Sequence, residues 1–246
     1  MHTNHADTQA GPDTGIRQRE LSAEHYDNMG ALSTEPTRTL DLLRYRLVMP
    51  LVRGRSVLDV GAYRGDFLKI LPQGIDEMWG TEINQTRVAQ SNELLGRQVV
   101  RLDFRNARLT TFDDDSVDTV TCMEVFEHLL DDRRALRELL RVARQRVIIT
   151  VPFNEKIRYC LCVHCGRPTP HSGHVRSYTV DSFHSLAETC PGAKLTQCRP
   201  LGHKWSGQVA KVLGVGAGTR ADRLLSGAYP RRSKWLLALF DLEPRA

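Results

Sequence analysis

The run Ser56-Val-Leu-Asp-Val-Gly-Ala-Tyr-Arg-Gly65-Asp-Phe-Leu68 decides the fold. Its first five residues hold Val57, Leu58 and Val60, two of them β-branched, and read as a buried parallel strand. A glycine-bearing turn follows, and then a helical stretch through Phe67, Leu68 and Leu71. The same alternation continues downstream. Strands are expected at 77–83, 98–102, 117–122 and 146–151, and helices at 85–95 and 131–143. Upstream, Glu35-Pro36 reads as a helix start, with Leu40, Leu43, Leu47 and Val48 recurring at helical spacing. Strands separated by helices predict an α/β fold, a doubly wound and mostly parallel sheet covered on both faces. After Pro152 the rhythm breaks into a Cys/His-rich insert, and a largely helical C-terminal part follows. The expected organisation is a disordered tail at 1–20, a ligand-binding core with an N-terminal helical cap at 21–153, the insert at 154–178, and a C-terminal completion at 179–246.

The 246 residues are 41% hydrophobic and 26% charged, enough for one large core. The longest apolar run, 235–240, is too short to span a membrane, and it reads as a packing helix. Residues 1–27 carry no apolar stretch, which argues against a secretory signal and makes cytoplasm the expected compartment. The net charge of +5 is concentrated in 199–246, where nine Lys or Arg face three Asp or Glu. That is a weak pointer to an anionic partner. Arg133, Arg134, Arg137 and Arg141 fall among acids on one helix and read as a solvated face. No basic stretch is interleaved with aromatics, so neither a nucleic-acid partner nor stable membrane insertion is expected.

Ligands of doubly wound sheets bind outside the carboxyl ends of the strands. The candidates there are Asp59, Gly61, Ala62, Tyr63 and Gly65 after the first strand, and Glu82 and Ile83 after the second. Asp103 and Phe104 follow the third strand, and Glu124 the fourth. Glycines let a ligand approach the backbone and expose helix N-terminal N–H groups. An acid about 20 residues on can accept from ribose hydroxyls, and Asp103 can accept from an adenine amino group. In this order and spacing the chain resembles the class I S-adenosylmethionine-dependent methyltransferases over 57–153, with a Rossmann-like sheet. The resemblance implies S-adenosylmethionine as cofactor. One departure stands at Tyr63, where that family usually has another glycine. The Gly-x-Gly-x-x-Gly run of dinucleotide enzymes is absent.

Two further clusters carry chemistry. In Glu124-Val-Phe-Glu127-His128, a helical turn would place positions i, i+3 and i+4 on one face. The three side chains can hold a divalent cation, or His128, helped by Glu127, can take a proton from a substrate hydroxyl. The blander reading has Glu124 lining the cofactor pocket while Glu127 and His128 cap a helix. The stretch resembles the Glu-x-x-Glu-His motif of ubiquinone-pathway O-methyltransferases, which implies Mg2+ at these three residues. The second cluster is Cys162-Val-His-Cys165-Gly166 with His171 and His174. A Cys-x-x-Cys knuckle plus two histidines predicts structural Zn2+ on Cys162, Cys165, His171 and His174, with His164 or Cys160 as substitutes. Methyltransferases of polysaccharide and secondary-metabolite clusters are similar here, including a Gly-His-x-Arg-Ser-Tyr segment matched by 173–178.

The expected function is methyl transfer from S-adenosylmethionine to a small-molecule hydroxyl of a sugar or secondary metabolite. The alternatives are a zinc-dependent binding or scaffold protein on the same fold, and a methyltransferase acting on RNA or protein.

Overall fold

Val57, Leu58 and Val60 are fully buried, as a strand covered on both faces must be. In the computed structural model, which describes residues 38–163 and 165–243, they lie in β1, Ser56–Val60, near the middle of a seven-stranded sheet. The other strands of this sheet are β2 (Glu77–Glu82), β3 (Val100–Leu102), β4 (Val117–Met123), β5 (Ala143–Pro152), β8 (Ala193–His203) and β9 (Ser233–Leu242). The spatial order is β3-β2-β1-β4-β5-β9-β8. The first five strands pair in parallel, and β9 lies antiparallel between β5 and β8. The strand order therefore reverses about β1, running outward to β2 on one side and to β4 on the other. This is the switch point at which an open α/β sheet leaves a crevice.

Alternation along the strands divides the core. Val147, Ile149 and Val151 of β5 join Leu236, Ala238 and Phe240 of β9 on one face. Leu136 and Leu139 of helix Asp132–Val142, and Phe183 of helix Val180–Ala187, pack on that side. Ile148, Trp235, Leu237 and Leu239 face the other way, against Tyr45 and Val48 of helix Thr39–Val48. Helix Val180–Ala187 opens on a capping box between Thr179 and Ser182, a local signal that fixes its start. Helix Gln85–Leu95 is capped by Asn84 and ends on Gly96 at φ 62°, which a left-handed end favours.

Four expectations need correction. The helix after β1 is one short turn, Asp66–Lys69, and stops before Leu71. The apolar run 235–240 is no helix; it is the middle of β9. It has no polar face because β5 and β8 flank it and both its faces are buried. The C-terminal part does hold helices, Lys204–Leu213 and Val215–Ala228, but two antiparallel strands accompany them. Arg141 is not solvated with its helix neighbours. Its guanidinium bonds Glu138, Asp114 and the carbonyls of Leu109 and Phe112, which ties the helix to the loop before β4. The insert forms a small ribbon of β6 (Tyr159–Leu161) and β7 (Pro168–Pro170). The tail expected at 1–20 and the helix start at 35–36 lie outside the described residues. Among the described residues no helix is long and apolar enough to cross a membrane.

Candidate active site

The loop after β1 bends onto β2 because the N–H groups of Gly61 and Ala62 both donate to the Thr81 carbonyl at 2.9 Å. Gly61 holds φ 74°, and a Cβ there would lie 2.3 Å from Val125 Cγ2, so only glycine fits. Tyr63, where the sequence lacks a glycine, still takes the left-handed conformation, at φ 52°. It is held there by three contacts. Its N–H donates to Glu82 Oε1 at 2.5 Å, its carbonyl accepts from Ser91 Oγ at 2.5 Å, and the Arg87 guanidinium lies 4.1 Å from its ring. The loop thus keeps its glycine-like shape through a clamp from helix Gln85–Leu95.

Glu82 ends β2 at the expected edge, and its other oxygen accepts from the Ile83 N–H at 3.2 Å. Burial pushes the carboxyl up to about 7 against these two donors. Each oxygen keeps a free lone pair, so two hydroxyl donors would favour the ionised form. Asp59 faces inward, accepts from Thr121 Oγ1 at 2.7 Å, and is raised by burial to about 7. Ala62 is buried against Gly80. Asp103 departs from its expected role. Five donors from Phe104, Thr110 and Thr111 converge on its oxygens, more than the four lone-pair sites of a carboxylate. It anchors the loop after β3 and is no open acceptor for an adenine amino group, while Phe104 is buried at φ 67°.

Beyond β4 the chain makes no helix with three aligned donors. Glu124 turns left-handed at φ 57°, and Phe126–His128 forms a single 3-10 turn. Glu124 faces Arg44 at 3.4 Å, and the nearby Trp235 side chain also favours its ionised form. The expected trio of Glu124, Glu127 and His128 therefore gives way to another. Among the described residues, the one group of three or more His, Cys, Asp or Glu side chains with ligand atoms within 4.8 Å of one another is Glu127, His128 and His174. Glu127 is buried, with no hydrogen-bond partner for either carboxylate oxygen among the described residues. Burial, with Glu124 nearby, raises its carboxyl well above the usual range.

His174 reaches this cluster because segment 173–178 runs back along the sheet edge. Val175 N–H donates to the Glu127 carbonyl at 2.9 Å, and Tyr178 bridges Phe153. Tyr178 and Arg176 both hold Asp132, so they pin the insert to the core. His128 Nδ1 lies 3.2 Å from the Gly173 carbonyl, which can only accept, so the proton resides on Nδ1 and Nε2 carries the lone pair. His174 Nδ1 bonds Glu155 in the same manner, while its Nε2 lies 3.9 Å from Glu127. The two rings meet edge to face at 4.8 Å. Burial, and then the neighbouring His174, lower His128 to about 4, so it is a neutral imidazole near pH 7.

The zinc set is thereby corrected. His174 belongs to the Glu127 cluster and not with Cys162 and Cys165, and His171 lines a cavity with Glu155, Lys156, Arg158 and Ser172. The knuckle turn itself forms, with Gly166 at φ 64° donating its N–H to the Cys162 carbonyl. His164 lies outside the described residues. Sequence reasoning missed Arg44, Glu155 and Trp235. Arg44 carried a readable signal, as a lone cation on the apolar stripe of Leu40, Leu43 and Leu47.

Comparison with known proteins bears on the domain type and the fold. A family profile described as a methyltransferase domain matches residues 58–151. A Mycobacterium tuberculosis protein named "probable S-adenosylmethionine-dependent methyltransferase" is 28% identical over 143 residues, covering 58% of this chain and 50% of that one. The chain thus spans about half the length of that relative. A structure of the complex between the Haloferax volcanii Trm112 methyltransferase activator and a methyltransferase aligns at TM-score 0.61 and 17% identity, over 92% of this chain and 99% of that one. An S-adenosylmethionine-dependent methyltransferase from Aquifex aeolicus aligns at TM-score 0.55 and 15% identity, over 88% and 98%. At such identities the two structures speak to the fold alone. Over residues 58–151 the chain is similar to a methyltransferase domain, and its relatives include S-adenosylmethionine-dependent methyltransferases.

Proposed function

We propose that the chain transfers the methyl group of S-adenosylmethionine to a hydroxyl of a small molecule. The observation that carries this reading is a neutral His128 beside the buried carboxyl group of Glu127, which has no hydrogen-bond partner among the described residues, one turn beyond the glycine loop's strand neighbour β4. The loop of Gly61, Tyr63 and Gly65, with Glu82, suits a cofactor that presents two hydroxyls and close-packed backbone contacts. The acceptor oxygen attacks the sulfonium methyl in line; a C–O bond forms, the C–S bond breaks, and a neutral thioether leaves. The hydroxyl proton passes to His128 Nε2, whose orientation the Gly173 carbonyl fixes.

One observation favours a second role for the same cluster. Two orphaned carboxylate oxygens and two imidazoles held through Nδ1 are a donor set that suits a divalent cation. Glu127, His128 and His174 would hold it, and bound there it would supply Lewis-acid polarisation of an acceptor oxygen. Ultraviolet cross-linking with methyl-labelled S-adenosylmethionine tests the function. Label on the chain, displaced by S-adenosylhomocysteine and lost in Glu82→Ala, supports it. Label indifferent to both would overturn it.

A further inference from the structure

The antiparallel end of the sheet brings together basic residues that lie apart in the sequence. Register on β9 pairs His203 with Ser233, so Lys204 meets Arg231, Arg232 and Lys234 across a cleft. These four cations and Ser233 line a cavity of about 570 Å3. None of the four pairs with a carboxylate among the described residues. Between Lys204 and Lys234 the chain has seven Lys or Arg and one acid, Asp222. That acid is buried, and it accepts from the N–H groups of Gly202 and His203 and the hydroxyls of Ser206 and Ser226. The Arg232 guanidinium rests 5.2 Å from the Trp205 ring, which orients it over the cleft's rim. Burial, and then Lys211, hold the Lys234 ammonium below its ordinary range, although Asp41 and Glu124 pull it back up.

The cleft adjoins the reacting edge. Lys234 lies close enough to Glu124 to feel its charge, and the Lys234 carbonyl accepts from the Phe153 N–H two residues before Glu155, the partner of His174. Unpaired like charges destabilise a fold through mutual repulsion, and a bound anion offsets that cost. Two guanidinium forks beside two ammonium groups match the oxygens of a phosphate.

We propose that this cleft is a phosphate site, and that it holds the phosphate or diphosphate of a phosphorylated methyl acceptor. The first part stands on the cleft alone, and the second rests on the proposed methyl transfer. Calorimetric titration with inorganic pyrophosphate, at low and at physiological salt, tests both parts. One saturable site per chain is expected, with affinity falling as salt rises. Arg231→Gln/Arg232→Gln should weaken it roughly 30-fold or more, as loss of charge-assisted donors implies. The control Arg133→Gln/Arg137→Gln should bind as the wild type does. S-adenosylmethionine is titrated in parallel and should bind both variants unchanged. Pyrophosphate should bind equally to chain loaded with S-adenosylhomocysteine; competition would place the anion in the cofactor pocket and overturn the site. Absence of saturation, or equal affinity in the cleft variant, also overturns it. So does binding to phosphatidylglycerol vesicles without binding to pyrophosphate. Pyrophosphate binding without S-adenosylmethionine binding upholds the anion site and removes only its assignment to a methyl acceptor.

Discussion

Arg44 supplies the positive charge against which Glu124 is buried, so its replacement by methionine should cost more as the pH rises. Arg44 is 7% exposed and lies 3.4 Å from Glu124, 3.3 Å from Asp41 and 5.3 Å from the Trp235 ring. Burial raises the Glu124 carboxyl to about 7, although Arg44 and the Trp235 side chain pull it down. Of those two opposing influences Arg44 is the larger, so without it the carboxyl rises further. Above an unfolded value of about 4.3 the native chain keeps a proton that the unfolded chain has released. The native state then binds more protons, and stability falls with rising pH until the folded value is passed. In the wild type that fall ends near 7, whereas in Arg44→Met it continues. Each further unit adds about 1.4 kcal/mol. At pH 6, with Glu124 protonated in both proteins, the substitution should cost about 1–2 kcal/mol of lost contacts. At pH 8.5 the cost should reach about 3–4 kcal/mol, in the range for breaking a buried pair. Urea unfolding followed by tryptophan fluorescence at both pH values reads the difference. In an Arg44→Met/Glu124→Gln background the extra cost at high pH should vanish. An equal penalty at the two pH values, or one untouched by Glu124→Gln, would refute the charge compensation.

Three further outcomes are expected. Gly61→Ala should lose about 1–3 kcal/mol of stability, since φ 74° is strained for alanine and Val125 blocks its Cβ; an unchanged melting temperature would contradict the close packing. The His128 ring should titrate near 4 by NMR, and a midpoint near 6.5 would mean that the ring is solvated and unperturbed. Mn2+ at about 100 times its Kd should raise the melting temperature by roughly 5–10 °C, and Glu127→Gln should abolish the rise. A rise of equal size in that variant would remove Glu127 from the cation site.

The parallel half of the fold was legible because its signals are local. Val57, Leu58 and Val60 mark a buried strand, Asn84 and Gly96 bracket a helix, and Thr179 announces another. Strands β8 and β9 were not, because their partners lie far away in the chain. β8 alternates polar and apolar residues with a proline inside it, and β9 has an apolar middle whose period is invisible when both faces are covered. The site divides in the same way. Glu82 and the glycine loop follow from the strand ends. His174 was grouped with cysteines a few residues away, whereas the return of 173–178 beside Phe153 carries it to Glu127. Sequence spacing measures neighbours along the chain and is blind to such a return.

Isothermal titration of S-adenosylmethionine into the wild-type chain and Glu82→Ala tests the central claim most directly. One molecule per chain should bind the wild type saturably. Loss of a carboxylate that accepts from two hydroxyls should weaken binding by about 10- to 150-fold, equivalent to roughly 1.5–3 kcal/mol. No heat of binding at high micromolar cofactor, or equal affinity in the two proteins, would contradict the account.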